Sequence, residues 1–255
     1  MLPIIFGALV IGVCLGLLGS GGSIITVPSL IYLVGQEEKV AIAGSLAIVG
    51  AVSLAGAIPY ARRREVDWPS VVVFGIPGML GTYCGAYLSQ FVTGETQLVI
   101  FECVMLLVAV IMLRSPKGDE IASAEPRARR PVPKIALDGL LVGTLTGLVG
   151  VGGGFLIIPA LVILGGLPMR TAVGTSLLII ALKSASGFGK YVGVLEESGL
   201  SLDWQVLGIF IAIGIAGTLL GQRISRSISQ AALRRGFGVS LVVLSVWMLA
   251  RSALS

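Results

Sequence analysis

Long runs of apolar residues with few charges inside them constrain this sequence more than any other feature. They span residues 2–34, 40–60, 71–91, 97–113, 135–164, 171–188, 204–221 and 236–250. Most of them are close to the ~20 residues with which a helix crosses the hydrocarbon core of a bilayer. Only 12% of the residues are charged, about half the usual share of a soluble domain. We therefore predict an all-α integral membrane protein.

Two of the runs are too long for a single crossing. Residues 2–34 make a run of 33 and residues 135–164 a run of 30, whereas a helix of about 20 residues already spans the core. Each long run contains a glycine cluster followed by a proline, Pro28 or Pro159. We predict that both are broken or hairpin segments, either re-entrant or made of two short spans.

The two halves of the chain repeat one pattern. GLLGSGG at 16–22 aligns with GLVGVGG at 147–153 at a shift of 131, and GMLGTYCG at 78–85 aligns with GIAGTLLG at 214–221 at a shift of 136. Chance alignment of apolar residues does not explain the matched glycines, threonines and prolines. The pattern predicts a first membrane repeat at 1–114, a cytoplasmic connector at 115–134 and a second repeat at 135–255.

The basic residues predict the orientation of the chain. A cytoplasmic position for the loop at 62–64, Arg114 with the connector, Arg170 and the loop at 223–235 places 14 of the 18 basic residues inside, as expected for membrane proteins. Both long segments must then return to the side on which they begin, which leaves about three full crossings in each half. An odd number of crossings inverts the second repeat and places both termini outside.

The glycine clusters are candidate substrate sites. A helix that restarts after a break offers free backbone N–H groups and the positive end of its dipole, which suit an anion. We expect a midplane site formed by Ser20, Gly21, Gly22 and Ser23 together with Gly152, Gly153 and Gly154, while Pro28 and Pro159 stiffen the return arms. The alternative is that these glycines only allow helices to pack closely.

Hydroxyl side chains follow both clusters at matched positions. We expect Ser45, Thr175 and Ser176 to face the same cavity. The alternative is a hydrogen bond from each hydroxyl to a carbonyl of the preceding helical turn, which is common for serine and threonine in membrane helices.

Ionisable residues within the apolar runs are further candidates, because a charge in the bilayer is costly and usually functional. Lys183 lies well inside the run at 171–188, and Lys190, seven residues on, shares its helix face. Glu102 is the one acid well within a run. Either Lys183 and Glu102 pair for structural reasons, or Lys183 binds an anionic substrate and Glu102 and Lys190 contribute to coupling.

The paired glycine–proline segments, AVGTSL at 172–177 and the two DW…GxxGTxxG stretches resemble the TauE/SafE family of membrane permeases, also called sulfite exporter-like proteins. The resemblance implies secondary transport of a small sulfur-containing oxyanion, such as sulfite or an organosulfonate, across the bacterial inner membrane. It implies alternating access, with the glycine turns and the Gly-Thr-Ser stretch along the path. It implies no enzymatic activity and no cofactor.

Two other functions fit a membrane protein of this kind. One is an anion channel of the same architecture. The other is a thiol–disulfide conduit that would use Cys14, Cys84 and Cys103, although these do not occupy repeat-related positions. The chain has no histidine and no GK[ST] after its glycine clusters, which argues against a metal site and against nucleotide chemistry. The basic residues lie in loops and indicate topology rather than nucleic-acid binding.

The small-xxx-small spacing at Gly81 and Gly85, and at Gly217 and Gly221, allows helices to approach closely. The contact would lie either within one chain or between the two chains of a homodimer.

Overall fold

The computed structural model describes residues 2–19, 21–114, 131–149 and 154–225, with scattered residues between 227 and 247. Helices fill these ranges: α1 Leu2–Leu18, α2 Gly21–Ser29, α3 Glu38–Arg62, α4 Trp68–Leu88, α5 Gly94–Arg114, α6 Val132–Val149, α7 Gly154–Pro159, α8 Met169–Glu197 and α9 Trp204–Ser225. The predicted run at 236–250 and residues 115–130 of the predicted connector lie largely or wholly outside the described residues.

Apolar length confirms a multi-pass membrane protein. Among the described residues, α3, α4, α6, α8 and α9 are long and apolar enough to cross a bilayer. The outer faces of α4 and α9 expose large apolar side chains such as Leu80, 63% exposed, and Leu220, 48% exposed. A surface of this kind suits lipid rather than water.

The first long run is broken, as predicted. α1 ends at Leu18, Gly19 has a φ of +71°, and α2 begins at Gly21. The two helices pack against each other as a hairpin, because Gly7 near the start of α1 lies against Leu33 and Gly22 lies against Leu15. The second long run is likewise divided into α6 and α7, and residues 150–153 between them lie outside the described part of the chain.

The two predicted prolines lie in the return arms. Pro28 is within α2 and Pro159 ends α7, and each is followed by a five-residue π-helical turn, Leu30–Val34 or Ala160–Leu164. Proline lacks the N–H of a regular helical turn and its ring crowds the carbonyl four residues earlier. The chain remains helical through both prolines and widens into the π turn directly after each of them.

Two close helix pairs join distant parts of the sequence. α1 packs along α9 and α4 packs along α6, in each case through glycines that touch the partner's backbone. The touching pairs are Gly12 with Gly214, Gly16 with Thr218, Gly143 with Gly78, and Gly147 with Thr82. These contacts occupy matched positions of the two sequence halves.

The small-xxx-small glycines are used within one chain. Gly81 and Gly85 of α4 lie against the carbonyls of Leu140 and Thr144 in α6. Gly217 and Gly221 of α9 lie against the carbonyls of Leu9 and Val13 in α1. Of the two alternatives for this spacing, close packing inside the chain is therefore the one observed.

The helices α3 and α8 form the centre of the bundle. They run antiparallel, since Gly174 near the start of α8 lies against Tyr60 near the end of α3. In the middle of the two helices, Gly50 lies against Ser184. Both helices are more buried than the other three spans. A polar group in the middle of either helix is therefore shielded from water and lipid.

Candidate functional site

The turn of the first hairpin lies at one end of the bundle. A side chain at Gly19 would meet Val173 of α8 at 2.6 Å, and the Leu17 carbonyl accepts a hydrogen bond of 3.2 Å from the Ser225 hydroxyl at the end of α9. Ser225 lines a cavity together with Arg63 and Arg170. We call this end of the bundle, marked by Arg63, Arg170 and Ser225, the arginine end.

The last turn of α6 lies at the opposite end. The Leu148 carbonyl accepts hydrogen bonds from the Gln97 amide, 2.9 Å, and from the Tyr191 hydroxyl, 3.0 Å. Tyr191 follows Arg170 by 21 residues on α8, a rise of about 31 Å at 1.5 Å per residue. We call this end, marked by Gln97, Leu148 and Tyr191, the tyrosine end.

α1 thus approaches the first glycine cluster at the arginine end, and α6 approaches the second cluster at the tyrosine end. Gly21 begins α2, Gly22 and Ser23 are buried, and Gly154 begins α7. Ser20, Gly152 and Gly153 lie outside the described residues. Thr175 and Ser176, near the start of α8, lie toward the arginine end with the first cluster, and Ser45, near the start of α3, lies toward the tyrosine end.

The three predicted hydroxyls are all fully buried. Ser45 donates to the Ile42 carbonyl and Ser176 to the Val173 carbonyl, both at 2.8 Å. These are the hydrogen bonds to the preceding helical turn that the sequence analysis gave as the alternative. Thr175 differs, because its hydroxyl accepts a hydrogen bond of 2.9 Å from the backbone N–H of Asp67. Thr175 thus attaches the α3–α4 loop to α8 at the arginine end.

Lys183 lies in the middle of the bundle, between the two ends. Its side chain is fully buried, and its Nζ has no hydrogen-bond partner among the residues that the structure describes. The aliphatic part lies against Gly78 of α4, and Nζ is 5.7 Å from the centroid of the Phe74 ring. Because Nζ is unpartnered, Lys183 makes no structural ion pair with Glu102.

A buried ammonium without a hydrogen bond is energetically unfavourable, and the Phe74 ring supplies only about 0.5–2 kcal/mol of cation–π attraction. An acceptor that carries negative charge would stabilise the ammonium form. Lys183 therefore has the properties of a binding group for an anion that enters the bundle.

The sequence analysis did not single out two buried serines of the central helices. Ser53 of α3 and Ser184 of α8 are fully buried, and neither hydroxyl has a hydrogen-bond partner. They lie 131 residues apart, the same shift that aligns the glycine clusters. That match was the available signal, and it identifies two unsatisfied hydroxyls in the central helices, Ser184 being the chain neighbour of Lys183.

The remaining ionisable candidates occupy separate helices. Lys190 is partly buried, and its Nζ lies 5.1 Å from the centroid of the Tyr87 ring, so that both lysines of α8 face α4 as their spacing predicted. Glu102 of α5 is buried at 1% exposure, and its Oε2 has no hydrogen-bond partner. A coupling role for Glu102 and Lys190 stays a prediction.

The cysteines form no disulfide. Cys14, Cys84 and Cys103 are all free, the first half-buried and the other two exposed on α4 and α5. A thiol–disulfide conduit needs two cysteines within bonding distance, and this pairing is not observed.

The arginine end contains a cavity of about 210 Å³ whose lining includes the exposed Arg63 and Arg170. Its lining residues are Tyr60, Arg63, Glu65, Arg170, Gln222 and Ser225. Gln222 is held by a hydrogen bond of 2.6 Å from its amide to the Gly56 carbonyl. The ends of α3 and α9 and the start of α8 thus meet around one polar space.

Comparison with known proteins gives one consistent result. The family model described as sulfite exporter TauE/SafE matches residues 4–248. A probable membrane transporter protein of Xylella fastidiosa strain 9a5c is 33% identical over 247 residues, which cover 95% of this chain and 92% of the relative. The probable membrane transporter protein YunE of Bacillus subtilis is 30% identical, over 70% and 73% of the two chains. The similarity extends to an archaeon, since MJ0441 of Methanocaldococcus jannaschii is 27% identical over 98% and 96%.

Proposed function

Since this chain belongs to the TauE/SafE family of membrane transporters, we propose that it moves a small sulfur-containing oxyanion, such as sulfite or an organosulfonate, across the bacterial inner membrane by alternating access. The observation that carries the proposal is the buried, unpartnered ammonium of Lys183. An oxyanion placed beside it would neutralise the charge and accept its hydrogen bonds.

The neighbouring hydroxyls support the same substrate class. Ser53 and Ser184 each have one O–H donor without an acceptor, and an oxyanion offers several acceptor oxygens at once. A cation would leave all three donors unsatisfied and would be repelled by Lys183. The central site of the proposed transporter therefore consists of Lys183, Ser184 and Ser53.

The proposed architecture is a pair of inverted repeats. The matched glycine contacts of α1 with α9 and of α4 with α6 support it, because a pseudo-twofold axis relates such pairs in inverted-repeat transporters. The meeting of Arg63 and Arg170 at one end supports the proposed orientation, in which the arginine end is cytoplasmic and both termini are outside.

Alternating access requires that the two ends open in turn. In this structure the arginine end holds a cavity whose lining includes the exposed Arg63 and Arg170, whereas Gln97 and Tyr191 join Leu148 across the tyrosine end. We infer that the structure corresponds to a cytoplasm-facing state. Opening of the tyrosine end would break these hydrogen bonds and expose Lys183 to the other side.

The experiment replaces Lys183 by methionine, which has a similar length and no charge. In proteoliposomes we expect sulfite flux to fall by about tenfold or more, because the anion loses its counter-charge. The melting temperature should stay the same or rise, since an apolar side chain in place of a buried charge often stabilises a protein. Lys134→Met, which removes an exposed lysine, is the matched control and should keep full flux.

Two results would contradict the proposal. Full flux in Lys183→Met would remove Lys183 from the substrate site. Wild-type protein that carries none of sulfite, sulfoacetate and taurine, while it carries phosphate or acetate, would exclude a sulfur oxyanion as the substrate.

A further inference from the structure

The cavity at the arginine end is separate from Lys183. Arg170 lines the cavity and precedes Lys183 by 13 residues on α8, a distance of about 20 Å along the helix axis. The cavity is thus a second polar space on the same side of the bundle as the turn of the first hairpin.

The lining residues offer hydrogen-bond donors of the type that oxyanions need. Arg63 and Arg170 present guanidinium groups, whose paired N–H donors match the oxygens of an oxyanion. The Gln222 amide, which donates one N–H to the Gly56 carbonyl, has a second N–H donor. The volume of about 210 Å³ holds a small oxyanion with some of its water, since a water molecule occupies about 30 Å³ in the liquid.

The one acid in the lining, Glu65, makes only a weak ion pair. Glu65 lies 4.0 Å from Arg63, and the two side chains are 33% and 36% exposed. An exposed ion pair of this length contributes at most about 1 kcal/mol. An incoming oxyanion can therefore replace Glu65 as the partner of Arg63 at little cost.

The matched position at the other end is closed. Tyr191 corresponds to Tyr60 at the shift of 131, but it is fully buried and donates its hydroxyl to the Leu148 carbonyl. Tyr60 is also buried, at 6% exposure, but it lines the cavity at the arginine end. The exposed Arg63 and Arg170 make that cavity accessible to a solute from outside the bundle.

We propose that this cavity is a second binding site for the transported class of oxyanion, a vestibule in which Arg63 and Arg170 hold the anion on its way between the cytoplasm and the central site. The proposal rests on the proposed function.

The test compares two double variants that remove the same charge. Arg63→Gln with Arg170→Gln alters the cavity, whereas Arg62→Gln with Arg223→Gln alters two exposed arginines that do not line it. Sulfite flux is measured in vesicles whose arginine end faces the added substrate. We expect the first variant to raise KM by about tenfold with little change in the maximal rate, the second to leave KM nearly unchanged, and Glu65→Gln to lower KM.

An equal rise of KM in both double variants would overturn the vestibule, since it would show a general effect of positive charge. Equilibrium stabilisation by sulfite separates this failure from failure of the transport proposal. A sulfite-dependent rise in melting temperature that persists in Lys183→Met and disappears in Arg63→Gln with Arg170→Gln supports the vestibule even without flux. No rise in the wild type, together with no flux, overturns both proposals.

Discussion

Gly19 and Gly35 both adopt the left-handed backbone conformation, with φ values of +71° and +81°, but their surroundings differ. A Cβ at Gly19 would lie 2.6 Å from Val173, whereas a Cβ at Gly35 would have nothing within 4 Å. Gly19 therefore has two reasons to be glycine, backbone conformation and close packing, and Gly35 has one.

The pair predicts unequal costs for the same substitution. Gly35→Ala should lower the free energy of unfolding by about 1–2 kcal/mol, the cost of a left-handed alanine. Gly19→Ala should lower it by that amount and about 1–3 kcal/mol more, because Val173 must move. Thermal unfolding of the two detergent-purified variants measures the difference. Equal losses would mean that α1 and α8 are not in contact at the turn.

At the scale of whole helices, the crossings of α4 with α6 and of α1 with α9 depend on the absence of side chains. Gly85 lies against the Thr144 carbonyl and Gly221 against the Val13 carbonyl. In lipid such contacts hold helices together mainly through van der Waals packing, because there is no hydrophobic driving force between them. Each added methyl group at the crossing separates two backbones.

Alanine substitutions on α4 and α9 distinguish a crossing from a lipid-facing surface. We expect Gly85→Ala and Gly221→Ala each to destabilise the protein by about 1–3 kcal/mol through overpacking. Gly208→Ala, on the exposed side of α9 with nothing within 4 Å, should be neutral or up to about 1 kcal/mol stabilising, since alanine is the better helix former. Chemical unfolding in micelles gives the order, and a similar loss at Gly208 would argue against the described packing.

At the scale of the whole molecule, the two ends of the bundle differ in charge. The arginine end includes Arg63 and Arg170 beside one cavity, while the loop after α8 at the tyrosine end, residues 198–203, contains neither lysine nor arginine. Such an asymmetry determines orientation in a membrane, because basic loops remain in the cytoplasm.

Single cysteines report this orientation. In a background with Cys14, Cys84 and Cys103 replaced by alanine, Ser201→Cys at the tyrosine end should react with a membrane-impermeant maleimide in intact spheroplasts. Arg64→Cys at the arginine end should react only after the membrane is opened. Both residues are exposed, so access depends on the side of the membrane. The reverse pattern would invert the proposed topology and make the vestibule extracellular.

The sequence was sufficient to predict the helices and their breaks. The length of an apolar run is set by the thickness of the bilayer, and glycine and proline mark where a helix is interrupted. The sequence was insufficient for helix pairing, since hydropathy does not distinguish the glycine-lined face of α1 that meets α9 from its other faces. The midplane site that the sequence predicts at the two glycine clusters stays a prediction, because Ser20, Gly152 and Gly153 lie outside the described residues.

The pairing of α1 with α9 has a consequence for synthesis. About 200 residues separate the end of α1 from the end of α9, so at about 5–20 residues per second the ribosome needs roughly 10–40 s to deliver the partner of the first helix. Throughout that time the glycine-lined face of α1 has no native partner in the nascent chain. An insertase or chaperone that shields this face until the last described helix emerges would therefore be expected to limit the yield of folded protein.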